Sequence, residues 1–153
     1  MCVDRFYRGL VAGVVAAIPL NAWNLLSFYV LRFTDRRMLD WSGMILYGSI
    51  PQTTFQIGLA LVMQILWSGF RGVVFSHLFP DFSSQGYLGK AVFFSVFLGF
   101  LEEAIAVLYK VPNLAEMTSG TALSTILGAI LWGVLLGYLV PRFARRQERQ
   151  KAG

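Results

Sequence analysis

The chain is poor in the residues that most often build a reactive site. Of 153 residues, one is cysteine, Cys2, and one is histidine, His77. A single cysteine excludes an internal disulfide and says nothing about redox compartment. One cysteine and one histidine leave a zinc site short of ligands unless several carboxylates or a second chain supply them. Histidine alone cannot hold haem from both faces here. No glycine-rich phosphate loop and no metal-ligand spacing occurs, so neither metal nor cofactor is expected. Charge is scarce as well, at 14% of residues against roughly 25% in soluble domains.

What is present is apolar. Hydrophobic residues make up 56% and aromatics 15%, and the mean hydropathy is +0.61. A small soluble domain leaves much of its surface wet and cannot hide this much apolar area. The composition points to an all-α integral membrane protein, and the length to a single membrane domain over 1–153. A span needs ~20 apolar residues to cross ~30 Å of hydrocarbon. Four segments qualify, at about 9–31, 53–79, 87–109 and 121–140. Pro51, Pro80, Pro112 and Pro141 fall at predicted span ends, where proline costs least. Pro19 lies inside the first span and is expected to kink it. That span is too long for a cleaved signal peptide, and no small-x-small cleavage site follows it.

The net charge of +5 could point to nucleic acid, but its placement points elsewhere. Arg142, Arg145, Arg146, Arg149 and Lys151 form a basic tail, 141–153, directly after the last apolar run. Such a tail suits a cytoplasmic membrane face and anionic lipid headgroups, and no nucleic acid is expected. With both termini inside, the inner side holds Arg5, Arg8, Lys90 and those five residues. The outer side holds Arg32, Arg36, Arg37 and Lys110. Eight against four favours a multi-pass protein of the cell membrane with cytoplasmic termini. Arg36 and Arg37, placed outside, weaken that assignment. In the same loop, MLDWSGMILYG is expected to lie in the outer interface as a short helix anchored by Trp41.

Glu102 and Glu103 stand side by side in the third span, GFLEEAIAV. Successive helical residues point about 100° apart, so the two acids cannot share one seam. Ala91, Ser95, Gly99, Glu102 and Ala106 form one stripe of mostly small residues, the type that lets membrane helices approach. On the second span, Thr53, Gln56, Ala60, Gln64, Trp67 and Arg71 form a polar stripe that lipid would not accept. Through the short turn PDFSSQG the second and third spans read as neighbours, with Glu102 facing Arg71. At ~1.5 Å per residue the two differ in depth by about 10 Å, which a long side chain and helix tilt can close. Glu103 is expected either to be partly neutral through desolvation or to associate with Lys110. Arg71, Glu102, Glu103, Gln64 and Gln56 are therefore the candidate polar cluster, serving helix register or function.

Small residues recur at four-residue spacing elsewhere. Gly9, Gly13, Ala17 and Asn21 mark a packing face on the first span, and Ser124, Gly128, Gly133 and Gly137 mark faces on the fourth. Asn21 and Asn24 are expected to hydrogen bond across helices, and His77 to sit at an interface. Adjacent glutamates also occur in intramembrane proteases of the CAAX type, but the arginine that follows there is Val107 here, and the histidine motifs are missing. TSG at 118–120 is a poor match to a rhomboid-type serine motif. No enzyme is expected.

GLVAGVVAA at the start of the first span, FSHLFPD at the end of the second, a glycine-bearing third span and a fourth closing in a basic tail together resemble small bacterial inner-membrane proteins of the YagU type. The likeness covers most of the chain. It implies a prokaryotic membrane location and no activity. The leading expectation is a non-enzymatic structural or accessory subunit, packing in the lipid bilayer as a homo-oligomer or within a larger membrane complex. The alternative is a small oligomeric transporter or ion/proton pathway through the Glu/Arg cluster.

Overall fold

The computed structural model describes residues 5–81 and 85–151, with side chains as far as residue 145. It is all-helical over those residues: α1 (Arg5–Tyr29), α2 (Leu39–Tyr47), α3 (Thr54–Leu78), α4 (Tyr87–Leu108) and α5 (Ser119–Lys151). Four of the five, all but α2, are long and apolar enough to cross a membrane. The fold is an all-α bundle of four membrane-spanning helices. Pro141 does not end the last helix as expected; α5 runs on through it to Lys151. Its ring removes one backbone bond, while the neighbouring turns keep theirs. Arg146, Arg149 and Lys151 of the basic tail lie outside the described side chains, as do residues 82–84 of the α3–α4 turn.

Helix α3 opens with a capping box. The Thr53 hydroxyl accepts from the Gln56 amide, and the Gln56 side chain accepts from the Thr53 amide. Two of the orphan donors at the helix start are satisfied this way. Pro19 lies within α1, which is continuous from Arg5 to Tyr29. Helix α2 ends at Gly48 in the left-handed region, where its N–H returns to the Met44 carbonyl.

The close helix pairs are α1 with α3, α1 with α5, and α4 with α5, while α2 lies along α3. Small residues make each close approach possible. A Cβ on Gly9 would sit 2.5 Å from the Gly72 carbonyl oxygen, and one on Gly72 would strike the Gly9 carbonyl and reach the Gly13 backbone at 3.0 Å. Gly13 faces Ser68 and Gly69 in the same way, with Ala17 buried one turn further on. Gly128 meets Leu20 and Trp23 of α1, beside buried Ser124. Gly133 and Gly137 meet Ala91, Val92, Ser95 and Leu88 of α4.

The α4 stripe therefore has a different partner from the one expected. Ala91, Ser95, Gly99 and Ala106 are all buried, but Ser95 donates to the Ala129 carbonyl at 2.6 Å and Gly99 faces Ala129. The stripe packs on α5, whose glycines complement it. Among the described residues α3 and α4 are instead bridged by long side chains. Phe75 packs on Tyr87 and Phe94 with ring centroids 5.3 and 5.4 Å apart. The rest of the core is Ala12, Ala16, Leu20, Trp132, Leu136 and Val140.

Candidate functional site

The small-residue contact of α4 with α5 turns the stripe's edge toward α3. Glu102 leaves α4 on that edge and receives two donors from α3, Trp67 Nε1 at 3.0 Å and Arg71 Nη1 at 3.3 Å. Arg71 is only 4% exposed. Its guanidinium lies over the Trp132 ring, 4.8 Å from the centroid, a favourable cation–π geometry. Trp132 is fully buried and donates to Ser68 Oγ at 2.6 Å, and Ser68 donates to the Gly13 carbonyl at 2.9 Å. One connected polar run thus crosses the bundle centre from α4 through α3 and α5 to α1. Each member gives the next a hydrogen bond or a charge contact, which is what makes a buried polar group tolerable.

Glu103, one residue on, points the other way and finds Arg36 rather than Lys110. The Arg36 guanidinium reaches down from the α1–α2 loop, its Nη2 2.5 Å from Glu103 Oε2. The same group donates to the Leu114 carbonyl and contacts Met117 sulfur at 3.6 Å. Lys110 stands beyond the end of α4 at φ 49°, and no pairing of it with Glu103 occurs among the described ion pairs. Arg37 is likewise withdrawn from water. Its Nη2 lies 2.7 Å from Asp40 Oδ1, and it donates to the Tyr29 hydroxyl and the Pro51 carbonyl, both at 3.1 Å. Burial opposes its charge, but the Asp40 and Tyr29 interactions outweigh burial and raise its pKa above the ordinary arginine value.

The α1–α2 loop is pinned at two more points. Asn24 Oδ1 accepts from the Met38 amide at 2.6 Å, so Asn24 fastens the loop rather than a helix. Asn21 does not cross between helices either; it donates to Ala17 of its own helix at 2.8 Å. Asp35 sits over the start of α5. Its amide donates to Thr121 Oγ1 at 3.0 Å, the Thr121 hydroxyl donates back to its carboxylate, and the Thr118 amide donates to it at 3.3 Å. A carboxylate there also meets the positive end of the helix dipole. Thr121→Val is expected to cost about 1 to 2 kcal/mol, read as a lower melting temperature in detergent, since it removes both partners that Thr121 offers Asp35.

Of the five residues expected to form one cluster, three take part in the ion pairs. Gln64 is 4% exposed but accepts from Ser42 of α2 at 3.1 Å, holding α2 against α3. Gln56 is spent in the capping box at the α3 start, far along the helix from Arg71. Trp41, expected as an interface anchor, is half-buried and lines the space beside both glutamates. His77 is exposed and its Nδ1 lies 2.9 Å from the Val73 carbonyl of its own helix. Trp132 and Arg36 are the members that sequence reading missed. The four-residue series Ser124, Gly128, Trp132 puts Trp132 on an inward face of α5, a signal that was available.

A small cavity of about 20 Å³ lies where Arg36, Arg37, Trp41, Glu102, Glu103 and Thr121 converge, room for about one water molecule. On either side of α4 the half of the bundle nearer the α1–α2 loop opens into an apolar groove. One, of about 700 Å³, runs between α4 and α2–α3 with Glu102 in its wall. The other, of about 620 Å³, runs between α4 and α5 with Glu103 in its wall. No three of histidine, cysteine, aspartate and glutamate come together as a metal site among the described residues. The arrangement can fix helices, hold one water between two acids, and present a carboxylate to each groove. In comparisons with protein families, curated proteins and solved structures, nothing matches this chain.

Proposed function

We propose that this is a small non-enzymatic protein of the cell membrane, a structural or accessory subunit whose intramembrane ion pairs set the helix arrangement. The observation that supports it best is the division of Glu102 and Glu103 between two cations from different elements, Arg71 of α3 and Arg36 of the outer loop. A charge at mid-membrane costs roughly 2.5 to 3.5 kcal/mol on the insertion scale. Pairing both acids within the chain offsets that cost and ties three elements together, which is the behaviour of a register device. The exposed face of α4, with Phe93, Phe97 and Phe100, is where we place the contact with a second copy or a larger complex. Cytoplasmic termini fit as well, because Arg36 and Arg37, the residues that opposed this orientation, are buried in pairs. The basic tail then faces anionic headgroups. A reporter enzyme active only outside the cytoplasm, fused after residue 153, should stay inactive.

A second reading, a small ion or proton pathway, is favoured by one feature. The water-sized cavity touches both glutamates and both loop arginines. Native mass spectrometry of the tagged protein, extracted in mild detergent from its own membrane, separates the two. A stoichiometric second protein is the expected result. A closed homo-oligomer whose proton flux in liposomes vanishes with Glu102→Gln would overturn the structural reading.

A further inference from the structure

The opposite, inner end of the bundle is built differently from the ion-paired outer end. There the first turn of α1 lies across the last turns of α3, with Ser76 Oγ 3.1 Å from the Arg5 carbonyl and 2.9 Å from the Val73 carbonyl of its own helix, its one proton shared between them. Gly9 permits this approach, since any Cβ there would press on Ser76 and the Gly72 carbonyl. The contact sets Arg5 and Arg8 beside Tyr87, the first residue of α4, where all three line one recess. The recess lies between them, against Pro80 and Val140, and its enclosed part is about 10 Å³. That is the room of one oxygen atom with its hydrogens, not of a whole headgroup.

Two polar atoms in this recess have no hydrogen-bond partner, the Tyr87 hydroxyl and Arg8 Nε. Tyr87 is 94% buried, being 6% exposed. Buried polar groups are ordinarily satisfied, and an orphan calls for a missing partner. Both orphans can donate, Arg5 and Arg8 bring two positive charges to the recess, and the end of α3 meets the start of α4 here, where a bilayer places its phosphates. Donors plus cations select an oxyanion.

We propose that Arg5, Arg8 and Tyr87 form a phosphate site at the inner membrane interface, in which one phosphate oxygen enters the recess to accept from Tyr87 and Arg8 Nε while the remainder stays at its mouth. The site is separate from the glutamate pairs, none of whose residues line it.

The test uses the full chain purified in detergent, with bound lipid read by native mass spectrometry. Phosphatidylglycerol and phosphatidylcholine are offered in turn. Tyr87→Phe removes one hydroxyl and keeps the ring packed on Phe75. It is expected to lower phosphatidylglycerol retention about tenfold, the scale of one hydrogen bond to a charged group, with its melting temperature without lipid unchanged. Arg5→Gln with Arg8→Gln should abolish the preference over phosphatidylcholine. Arg145→Gln, a cation on the α5 extension, should leave retention as it was. Excess inorganic phosphate distinguishes the source. Displacement of the lipid, with a rise in melting temperature that Tyr87→Phe abolishes, identifies soluble phosphate as the occupant. Retention of the lipid identifies the headgroup. Equal phosphatidylglycerol retention by wild type and a folded Tyr87→Phe, or no preference over phosphatidylcholine in the wild type, overturns the site.

Discussion

Glu102→Met is expected to destabilise the bundle by about 3 to 5 kcal/mol, the cost of breaking a buried ion pair from one side. Arg71 would keep its charge, because a guanidinium does not deprotonate in a protein, and it would keep its buried place, its side chain 5% exposed. Only the Trp132 face would remain to it. Arg71→Met is expected to cost less. Glu102 is 24% exposed at its side chain and retains the Trp67 donor. The double variant, Glu102→Met with Arg71→Met, is expected to be milder than Glu102→Met alone, since two apolar side chains leave no orphan charge. Thermal unfolding of the three purified variants in one detergent checks the order. If Arg71→Met is the most damaged of the three, Glu102 is not its counter-ion in any energetic sense.

The second large effect needs no charge. Gly72→Leu is expected to prevent the α1–α3 contact and abolish the folded bundle. Overpacking a core ordinarily costs roughly 1 to 3 kcal/mol because side chains can shift. Here the obstacles are main-chain atoms of Gly9 and Gly13 on the facing helix, so relief requires moving a whole helix. Gly58 of the same helix is the control. A Cβ there meets nothing within 4 Å, and Gly58→Ala should stabilise by about 0.5 to 1 kcal/mol through helix propensity. Size-exclusion profile and melting temperature distinguish the outcomes, and a monodisperse, wild-type-like Gly72→Leu would refute the close approach.

The parts that sequence could and could not disclose divide along a physical line. The spans were legible because apolar length is a local property; the expected 87–109 became Tyr87–Leu108 and 53–79 became Thr54–Leu78. The inward stripe of α4 was legible for the same reason, from the spacing of Ala91, Ser95 and Gly99. Its partner was not. A short turn implied α3, but the glycines at 133 and 137 made α5 the surface that could come closest. Glu103 shows the same limit. Lys110 was the nearest cation along the helix, whereas Arg36 is 67 residues away in sequence and reaches Glu103 only because Asn24 and Thr121 tether its loop. Gln56 looked like part of a membrane polar stripe because the stripe has the period of the helix. The capping requirement at the helix start claimed it first.

The pairing of α1 with α3 and of α4 with α5 has a consequence for how the chain is made. Each pair is two successive spans, so each hairpin can close on its small-residue seam as soon as its second helix leaves the insertion machinery. Arg71 belongs to the first hairpin and Glu102 to the second. With spans inserting in chain order, the arginine enters the bilayer before its carboxylate, 31 residues further on, and for that interval α3 is held in place by its apolar residues and by α1 alone. In that order the ion pair forms only when the second hairpin docks on the first, together with the α1–α5 contact.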